Sequence, residues 1–235
     1  MIELENVSAR FKDAAGTVID AVKDVSLTLA PGAVHAIIGP SGSGKTTLLH
    51  IIAGILVPTA GTVQAQGITV SKLGESARDA WRRKNCGMIF QDFRLIDELG
   101  PLGNVLVPSW FGRNGGTDIR RSARDLLAHF DVPARSGPVA MLSRGQQQRV
   151  AMARALVLSP QIILADEPTA SVDKVNAERI IDELARLAGE GRTVIVVSHD
   201  ERVAARADHV IEILNGTLNT ANGAQTEHAQ ARGVH

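Results

Sequence analysis

Gly39-Pro40-Ser41-Gly42-Ser43-Gly44-Lys45-Thr46 is the stretch that decides how this chain folds. It satisfies G-x-x-x-x-G-K-[ST] in full, and its setting fits the motif. A short apolar run, Val34 to Ile38, precedes it, and Lys45 to Ala53 follows it with Leu48, Leu49 and Ile52 at helical spacing. Glycines let successive backbone N–H groups turn inward as an anion nest, and the helix start adds partial positive charge. In this motif Lys45 reaches the β- and γ-phosphates of a nucleotide and the Thr46 hydroxyl holds Mg2+. Strand, glycine-rich turn and helix in succession open an α/β unit.

Outward from the loop the pattern extends in both directions. Ile2, Leu4 and Val7 open one strand, and Val18 to Leu29 holds a second before the Pro31-Gly32 turn. From roughly Ser71 to Ala140 the texture changes. Glu75 to Lys84 and Asp118 to Phe130 read as amphipathic helices, and Gly100, Pro101, Gly103, Pro108, Gly112, Gly115 and Gly116 break up the rest. This stretch reads as a mostly helical insertion, with Trp81-Arg82-Arg83-Lys84 a solvated helix end. Trp110-Phe111 reads either as core or as part of a groove for a partner helix. After Ser143 the α/β pattern returns: a helix from about Arg144 to Leu158, a strand at Ile162 to Ala165, a helix from about Asn176 to Ala188 and a strand at Thr193 to Val197. Continuous apolar runs of this kind suit a parallel sheet covered on both faces. His209 to Leu214 is a late strand ending at the turn dipeptide Asn215-Gly216. Beyond it, residues 217–235 are polar and glycine-containing, the composition of a flexible tail.

Composition narrows the function. Among 235 residues, Lys+Arg and Asp+Glu both count 25, so the formal charge is zero. That balance argues against nucleic acid as a partner, which needs a net basic face. Aromatic residues are 3% with no tyrosine, so the core is aliphatic and base-stacking platforms are scarce. The lone cysteine, Cys86, allows neither an internal disulfide nor a cysteine zinc cluster, and reads as a small buried apolar residue. No run approaches the roughly 20 apolar residues of a membrane span. Met1-Ile2-Glu3-Leu4-Glu5 lacks a signal peptide's basic and apolar regions, so a cytosolic protein is expected, reaching a membrane only through a partner.

A second acidic motif joins the loop. Ile162-Ile163-Leu164-Ala165-Asp166-Glu167 is an apolar strand ending in two carboxylates. Asp166 at the strand tip can contact a metal directly or through water, and Glu167 can poise a water against a γ-phosphate. Leu142-Ser143-Arg144-Gly145-Gln146 opens the helix before that strand. Here the chain resembles the ATP-binding cassette (ABC) family of ATPases, whose signature reads L-S-G-G-Q. The resemblance runs from about Met1 to Gly216, with the motifs in family order. Gln91 ends Met88-Ile89-Phe90-Gln91, Ser171-Val172-Asp173 stands at the D-loop, and His199 lies in Val197-Ser198-His199-Asp200.

The resemblance implies a fold and a two-chain mechanism. The fold is α/β: a P-loop NTPase core with a mostly parallel sheet, an N-terminal antiparallel β subdomain and an inserted α-helical signature subdomain at about 92–158. Residues 1–216 would form the ATPase domain and 217–235 the tail. Two cassettes would pair head to tail, most simply as a homodimer, and bury two ATPs. Gly39, Pro40, Ser41, Gly42, Ser43, Gly44, Lys45, Thr46 and Thr47 would cradle the phosphates of one. Thr46, Gln91 and Asp166 would hold its Mg2+, Glu167 would be the base, and His199 would bond the γ-phosphate; on its own a histidine after a buried strand is often only a satisfied polar residue. Ser143, Arg144, Gly145 and Gln146 would come from the other chain, and Asp173 would couple the two sites. Phe11 aligns with the aromatic that stacks on adenine, the alternative being a core phenylalanine at a strand end, and Val18 would add an apolar wall.

Arg144 departs from the family's glycine. A left-handed backbone there would cost about 1–2 kcal/mol. A helical one would let the guanidinium lie near phosphate and help hold it. The segment from Gly87 to Ile96, with Asn104-Val105 and Pro108, resembles the branch of lipoprotein-releasing, macrolide or peptide-export and FtsE-like ATPases. That branch works with a separate membrane permease, which places the chain at the inner face of the cell membrane, and the region after Gln91 would receive the permease's coupling helix. The alternative is a soluble ATP-gated clamp or regulator without a permease.

Overall fold

Alternation of apolar and polar residues makes β1 (Ile2–Lys12) and β2 (Val18–Leu29) half-buried strands, and they pair antiparallel with Ile2 opposite Leu29 and Phe11 opposite Ile19. The computed structural model describes residues 1–12, 16–111, 117–133 and 137–219. After β3 (Val34–Ile38) and α1 (Lys45–Ile52), β4 (Ala60–Ala65) and β5 (Ile68–Thr69) complete a four-stranded sheet in the order β2-β1-β4-β5. Then come α2 (Glu75–Asn85), β6 (Cys86–Ile89), α3 (Pro101–Leu106), α4 (Thr117–His129), α5 (Arg144–Leu156), β7 (Ile162–Asp166), α6 (Lys174–Gly189), β8 (Thr193–Val197), α7 (Glu201–Arg206), β9 (His209–Leu214) and β10 (Thr217–Leu218). The second sheet runs β10-β9-β3-β8-β7-β6, parallel from β9 to β6. Every residue of β7 and β8 is buried, the signature of a sheet covered on both faces.

Two apolar clusters flank that sheet. In one, Leu48, Leu49, Ile51 and Ile52 of α1 pack between β1 and β2 on one side and Ile162, Leu164, Ile195 and Val197 on the other. The other joins α5, α6 and the helices after β6 to the opposite face through Val150, Ile163, Ile181 and Val196.

Several sequence expectations change. The helix at Glu75 forms, but its Trp81 is buried in the α1 cluster. Trp81 is therefore core rather than part of a solvated helix end. Thr217-Leu218, grouped with the tail by composition, form β10, because Asn215 and Gly216 both adopt positive φ and turn the chain back on β9. Residues 220–235 lie outside the described residues, as do Gly112, Gly115 and Gly116. Trp110 and Phe111 are exposed and so are not core. β4 escaped sequence reading because Ala60-Gly61-Thr62-Val63-Gln64-Ala65 is poor in strand formers. Gly61 has φ +81, and a Cβ there would lie 2.4 Å from the Asn6 carbonyl oxygen, so the close approach of β1 sets the residue. Cys86 is half-buried against the α1 cluster rather than fully buried, and desolvation still pushes its thiol up to about 12.

Away from the phosphate loop, His35 at the start of β3 stacks on His209 at the start of β9, centroids 4.9 Å apart. Burial lowers the His35 pKa below its ordinary 6.5; the hydrogen bond to the Ala30 carbonyl opposes this, His209 adds to it and Asp208 opposes it. The unfolded chain therefore takes up a proton near pH 6.5 that the folded chain refuses, so stability falls as pH drops through that value. The urea midpoint is expected to fall between about pH 7.5 and about pH 5.5, and His35→Gln to make that slope shallower. An unchanged slope in the variant would contradict the assignment.

Candidate functional site

The loop between β3 and α1 opens onto a cleft of about 710 Å3, lined by Gly39, Ser41 to Thr47, Gln91, Glu167 and His199, with β2 and the Asn215-Gly216 turn as its other wall. Gly44 sits at φ +101, where a Cβ would fall 2.1 Å from the Ala21 carbonyl oxygen, so β2 presses directly on the loop. The turn after β9 is tied in as well: the Gly216 N–H donates to the Ser43 carbonyl (3.0 Å), and the Lys23 N–H donates to the Gly216 carbonyl (2.7 Å). Lys45 folds back and donates to the carbonyls of Gly39 (2.9 Å) and Pro40 (2.8 Å). Pro40 thus serves the site through its carbonyl and is not among the residues lining the cleft.

At the tip of β7, the Thr46 hydroxyl donates to Asp166 Oδ1 at 3.1 Å. Burial raises the Asp166 pKa, and the Thr46 hydrogen bond is the largest opposing effect. Glu167, next in sequence, has φ +47, a left-handed conformation costing a non-glycine residue about 1–3 kcal/mol. Its N–H donates to the Val197 carbonyl at the end of β8 (2.9 Å). The left-handed turn sends the carboxylate away from Asp166 and toward His199, whose Nδ1 is 2.9 Å from Glu167 Oε2. Thr46, Gln91 and Asp166 also line an adjoining pocket of about 460 Å3 with His50, Arg144 and Ser171, so Gln91 stands where the two cavities meet.

The site's chemistry accommodates Mg2+ and phosphate. Hydroxyl, carboxylate and amide oxygens are hard donors suited to Mg2+, which keeps several waters and takes its remaining ligands from substrate phosphates. Among the described residues no group of three His, Cys, Asp or Glu side chains forms a metal cluster, and an Mg2+-nucleotide site does not call for one. In the loop, the buried Ser43 hydroxyl has no protein partner, so it is a donor suited to a phosphate oxygen.

The signature residues stand apart from the phosphate cleft. Ser143, at φ −62, caps α5 in a capping box: its hydroxyl accepts from the Gln146 N–H while the Gln146 side chain accepts from the Ser143 N–H. None of Ser143, Gly145 or Gln146 lines the cleft around Lys45. Arg144 is the first residue of α5 and pays no left-handed cost. Its guanidinium lies over the Phe93 ring, 5.1 Å from the centroid. Asp173 caps α6 through the Asn176 N–H (3.0 Å), and the Asn176 side chain donates back to Asp173 (2.6 Å) while accepting from Arg149 of α5 (2.8 Å). A Cβ on Gly145 would sit 3.0 Å from Asn176 Nδ2, so the signature and D-loop segments touch within one chain.

Phe11 and Val18 are exposed and do not line the cleft; Ile19, the cross-strand neighbour of Phe11, does. Sequence reading missed Ile19, Lys23, Asn215 and Gly216. No motif marks them, since the tertiary ties to Ala21 and Ser43 alone bring them to the loop.

A strand–loop–helix phosphate cradle on a mostly parallel sheet, with paired carboxylates at the tip of β7, one strand removed from β3, defines a P-loop nucleotide-binding domain. A family profile described as ABC transporter matches residues 22–170. The chain belongs to the ABC transporter family. It is 42% identical over 220 residues, 93% of its length, to a macrolide export ATP-binding/permease protein MacB 1/2 of Paracoccus denitrificans, and 41% identical over 218 residues, 92% of its length, to MacB of Rhodopseudomonas palustris. It spans only 33% of each of those relatives. Among solved structures it matches the dimeric ATP-binding cassette MJ0796 in a post-hydrolysis state bound to ADP and Pi, with a TM-score of 0.86 and 39% identity over 93% of this chain and 97% of that one. It also matches CbiO1 of Clostridium perfringens, with a TM-score of 0.79 and 26% identity over 93% and 86%.

Removing the α5 cap tests the local geometry. Ser143→Ala is expected to cost about 1 kcal/mol, and so to lower the melting temperature by about 2–4 °C in a calorimetric scan. An unchanged melting temperature would contradict the capping box.

Proposed function

We propose that the chain binds Mg-ATP, pairs head to tail with a second cassette, and hydrolyses ATP to ADP and phosphate to drive a membrane permease of the macrolide-export type. The observation that carries this reading is the convergence of the Thr46–Asp166 and Glu167–His199 pairs beside one phosphate loop. Residues 1–216 act as the ATPase unit, with residues after β6 to about 158 forming its helical signature part.

Gly39 to Thr47 cradle the phosphates, and Lys45 exchanges its two loop carbonyls for phosphate oxygens. Thr46, Asp166 and Gln91 would hold Mg2+, which would supply positive charge against the phosphates. Glu167 holds a water for attack on the γ-phosphorus and takes its proton on the carboxylate oxygen that His199 leaves free. The new bond joins the water oxygen to phosphorus, and the bond to the β–γ bridging oxygen breaks, leaving ADP and phosphate. His199, 2.9 Å from Glu167, orients that carboxylate and bonds the γ-phosphate. Ser143, Gly145 and Gln146 present the N-terminus of α5 to the γ-phosphate bound by the partner chain. Asp173, tied through Asn176 to α5, links the two sites. Ile19 of β2, which lines the cleft, supplies the adenine wall in place of its cross-strand neighbour Phe11.

The names of the curated relatives, which join ATP-binding and permease, support the membrane partner. Among the described residues no helix is long and apolar enough to cross a membrane, which fits a peripheral place on the cytoplasmic face, held by a permease. Beside the edge strand β6, Arg83, Met88, Phe90, Pro108, Arg154 and Leu158 line a groove of about 200 Å3 suited to a short permease helix, with Trp110 and Phe111 exposed close by in sequence.

Glu167→Gln is expected to lower Mg-ATP hydrolysis by about 10²–10⁴ while preserving ATP binding and ATP-dependent dimers in light scattering. Lys45→Ala is expected to lose nucleotide binding itself. Unchanged turnover in Glu167→Gln would contradict the assigned base. The same variant, purified from its native membranes with Mg-ATP, is expected to bring a polytopic membrane protein with it. Recovery of soluble partners alone would contradict the permease.

A further inference from the structure

Arg144 is the signature residue that departs from the family pattern, and its side chain engages this chain's own Gln91 turn. Gln91 lies in the turn Phe90-Gln91-Asp92-Phe93-Arg94. Phe93 and Arg94 are consecutive non-glycine residues at φ +60 and +47, a conformation that persists only when its surroundings impose it. Two hydrogen bonds are internal to the turn: the Phe93 N–H donates to Phe90 (3.0 Å) and the Arg94 N–H to Asp92 (2.6 Å). The others come from α5. Arg154 donates to the carbonyls of Phe93 and Arg94, and Arg144, ten residues earlier, places its guanidinium over the Phe93 ring at 5.1 Å. Phe93 is buried, whereas the turn's other aromatic, Phe90, is half-buried and carries the turn's own Arg94 over its ring at 4.8 Å. Arg144 shares its pocket with Thr46, Gln91 and Asp166.

We propose that Arg144 is a positioning residue for Gln91: its cation, seated on the Phe93 ring, clamps the turn 90–94 to α5. The helix that would face the partner's nucleotide thereby sets the place of the residue that would serve the chain's own metal. The inference rests on the metal role of Gln91 proposed above. It differs from the expectation that Arg144 grips phosphate, because it assigns the guanidinium to a ring of its own chain.

The test uses the full chain. At an exposed site a cation–ring contact of this kind corresponds to about a two- to fivefold change in an equilibrium. In the ATP-free protein, Arg144→Gly is expected to raise amide hydrogen exchange at 90–96 by that factor. Arg144→Lys should stay close to the parent and Arg144→Met should resemble Arg144→Gly; lysine and methionine are both good helix formers, which separates the clamp from helix propensity. Under turnover, Arg144→Gly and Arg144→Met are expected to raise the Mg2+ concentration for half-maximal hydrolysis by a similar factor, with Mg2+-free ATP binding unchanged. Adding Phe93→Leu should change nothing further. Exchange and Mg2+ requirement like the parent's in Arg144→Met would overturn the clamp. So would effects of Arg144→Gly and Phe93→Leu that add in full, the result expected of a phosphate ligand. Should Phe93→Leu fail to fold, the lysine and methionine variants decide alone. Exchange in the ATP-free chain does not depend on turnover: a chain with no ATPase activity whose exchange still responds would refute the function proposed above and leave the clamp standing.

Discussion

The burial of the apolar residues of α1 between two sheets is the constraint on which the rest depends. Leu48, Leu49, Ile51 and Ile52 are at most 1% exposed, gripped between the antiparallel sheet and one face of the parallel sheet. A helix so enclosed cannot tilt without opening two cores at once, because packed interiors do not deform continuously. The phosphate loop inherits that rigidity at its helical end. At its other surface, the contact of Gly44 with the Ala21 carbonyl and the hydrogen bond from Gly216 to Ser43 hold it from β2 and from the turn after β9. The anion nest is therefore formed in advance by packing, which is what precise phosphate placement requires.

From that fixed point the acidic strand takes its geometry. Parallel pairing of β7 with β8 sets Asp166 opposite Val197, and the hydrogen bond from Glu167 to Val197 begins the left-handed turn that separates the two carboxylates. Asp166 stays with Thr46, while Glu167 crosses to His199. The strain at Glu167 keeps adjacent acids from competing for one place. α5 is anchored differently: it holds the Gln91 turn through Arg144 and Arg154 and the D-loop through Arg149 and Asn176, so a movement of this helix is felt at both.

Much of this was legible in the sequence because the chemistry is local. The phosphate loop, the strand ending in Asp166-Glu167 and the capped start of α5 are contiguous motifs whose geometry follows from their own residues. The parallel strands were legible because burial on both faces leaves uninterrupted apolar runs. What stayed hidden depends on distant parts of the chain. β4 and β10 exist because β1 and β9 offer ladders to weak strand formers. Trp81 looks like the head of a charged cluster until α1 is placed beneath it. Ile19 replaces Phe11 in the cleft wall, although the two are cross-strand neighbours, because strand placement rather than residue type decides which side chain reaches the cleft. The seat of the Arg144 guanidinium depends on the left-handed turn at Phe93, which no sequence period announces.

Head-to-tail sharing of one nucleotide by two chains, as proposed above, would join these parts into a machine, and chemical cross-linking tests it. Chains carrying Ser41→Cys are mixed with chains carrying Ser143→Cys, both with Cys86→Ser and Glu167→Gln, and oxidised with and without ATP. The account predicts a disulfide between the two kinds of chain that forms only with ATP, and none between two chains that both carry the Ser41 substitution. Absence of the mixed disulfide, or its equal formation without nucleotide, would contradict the pairing of phosphate loop with signature.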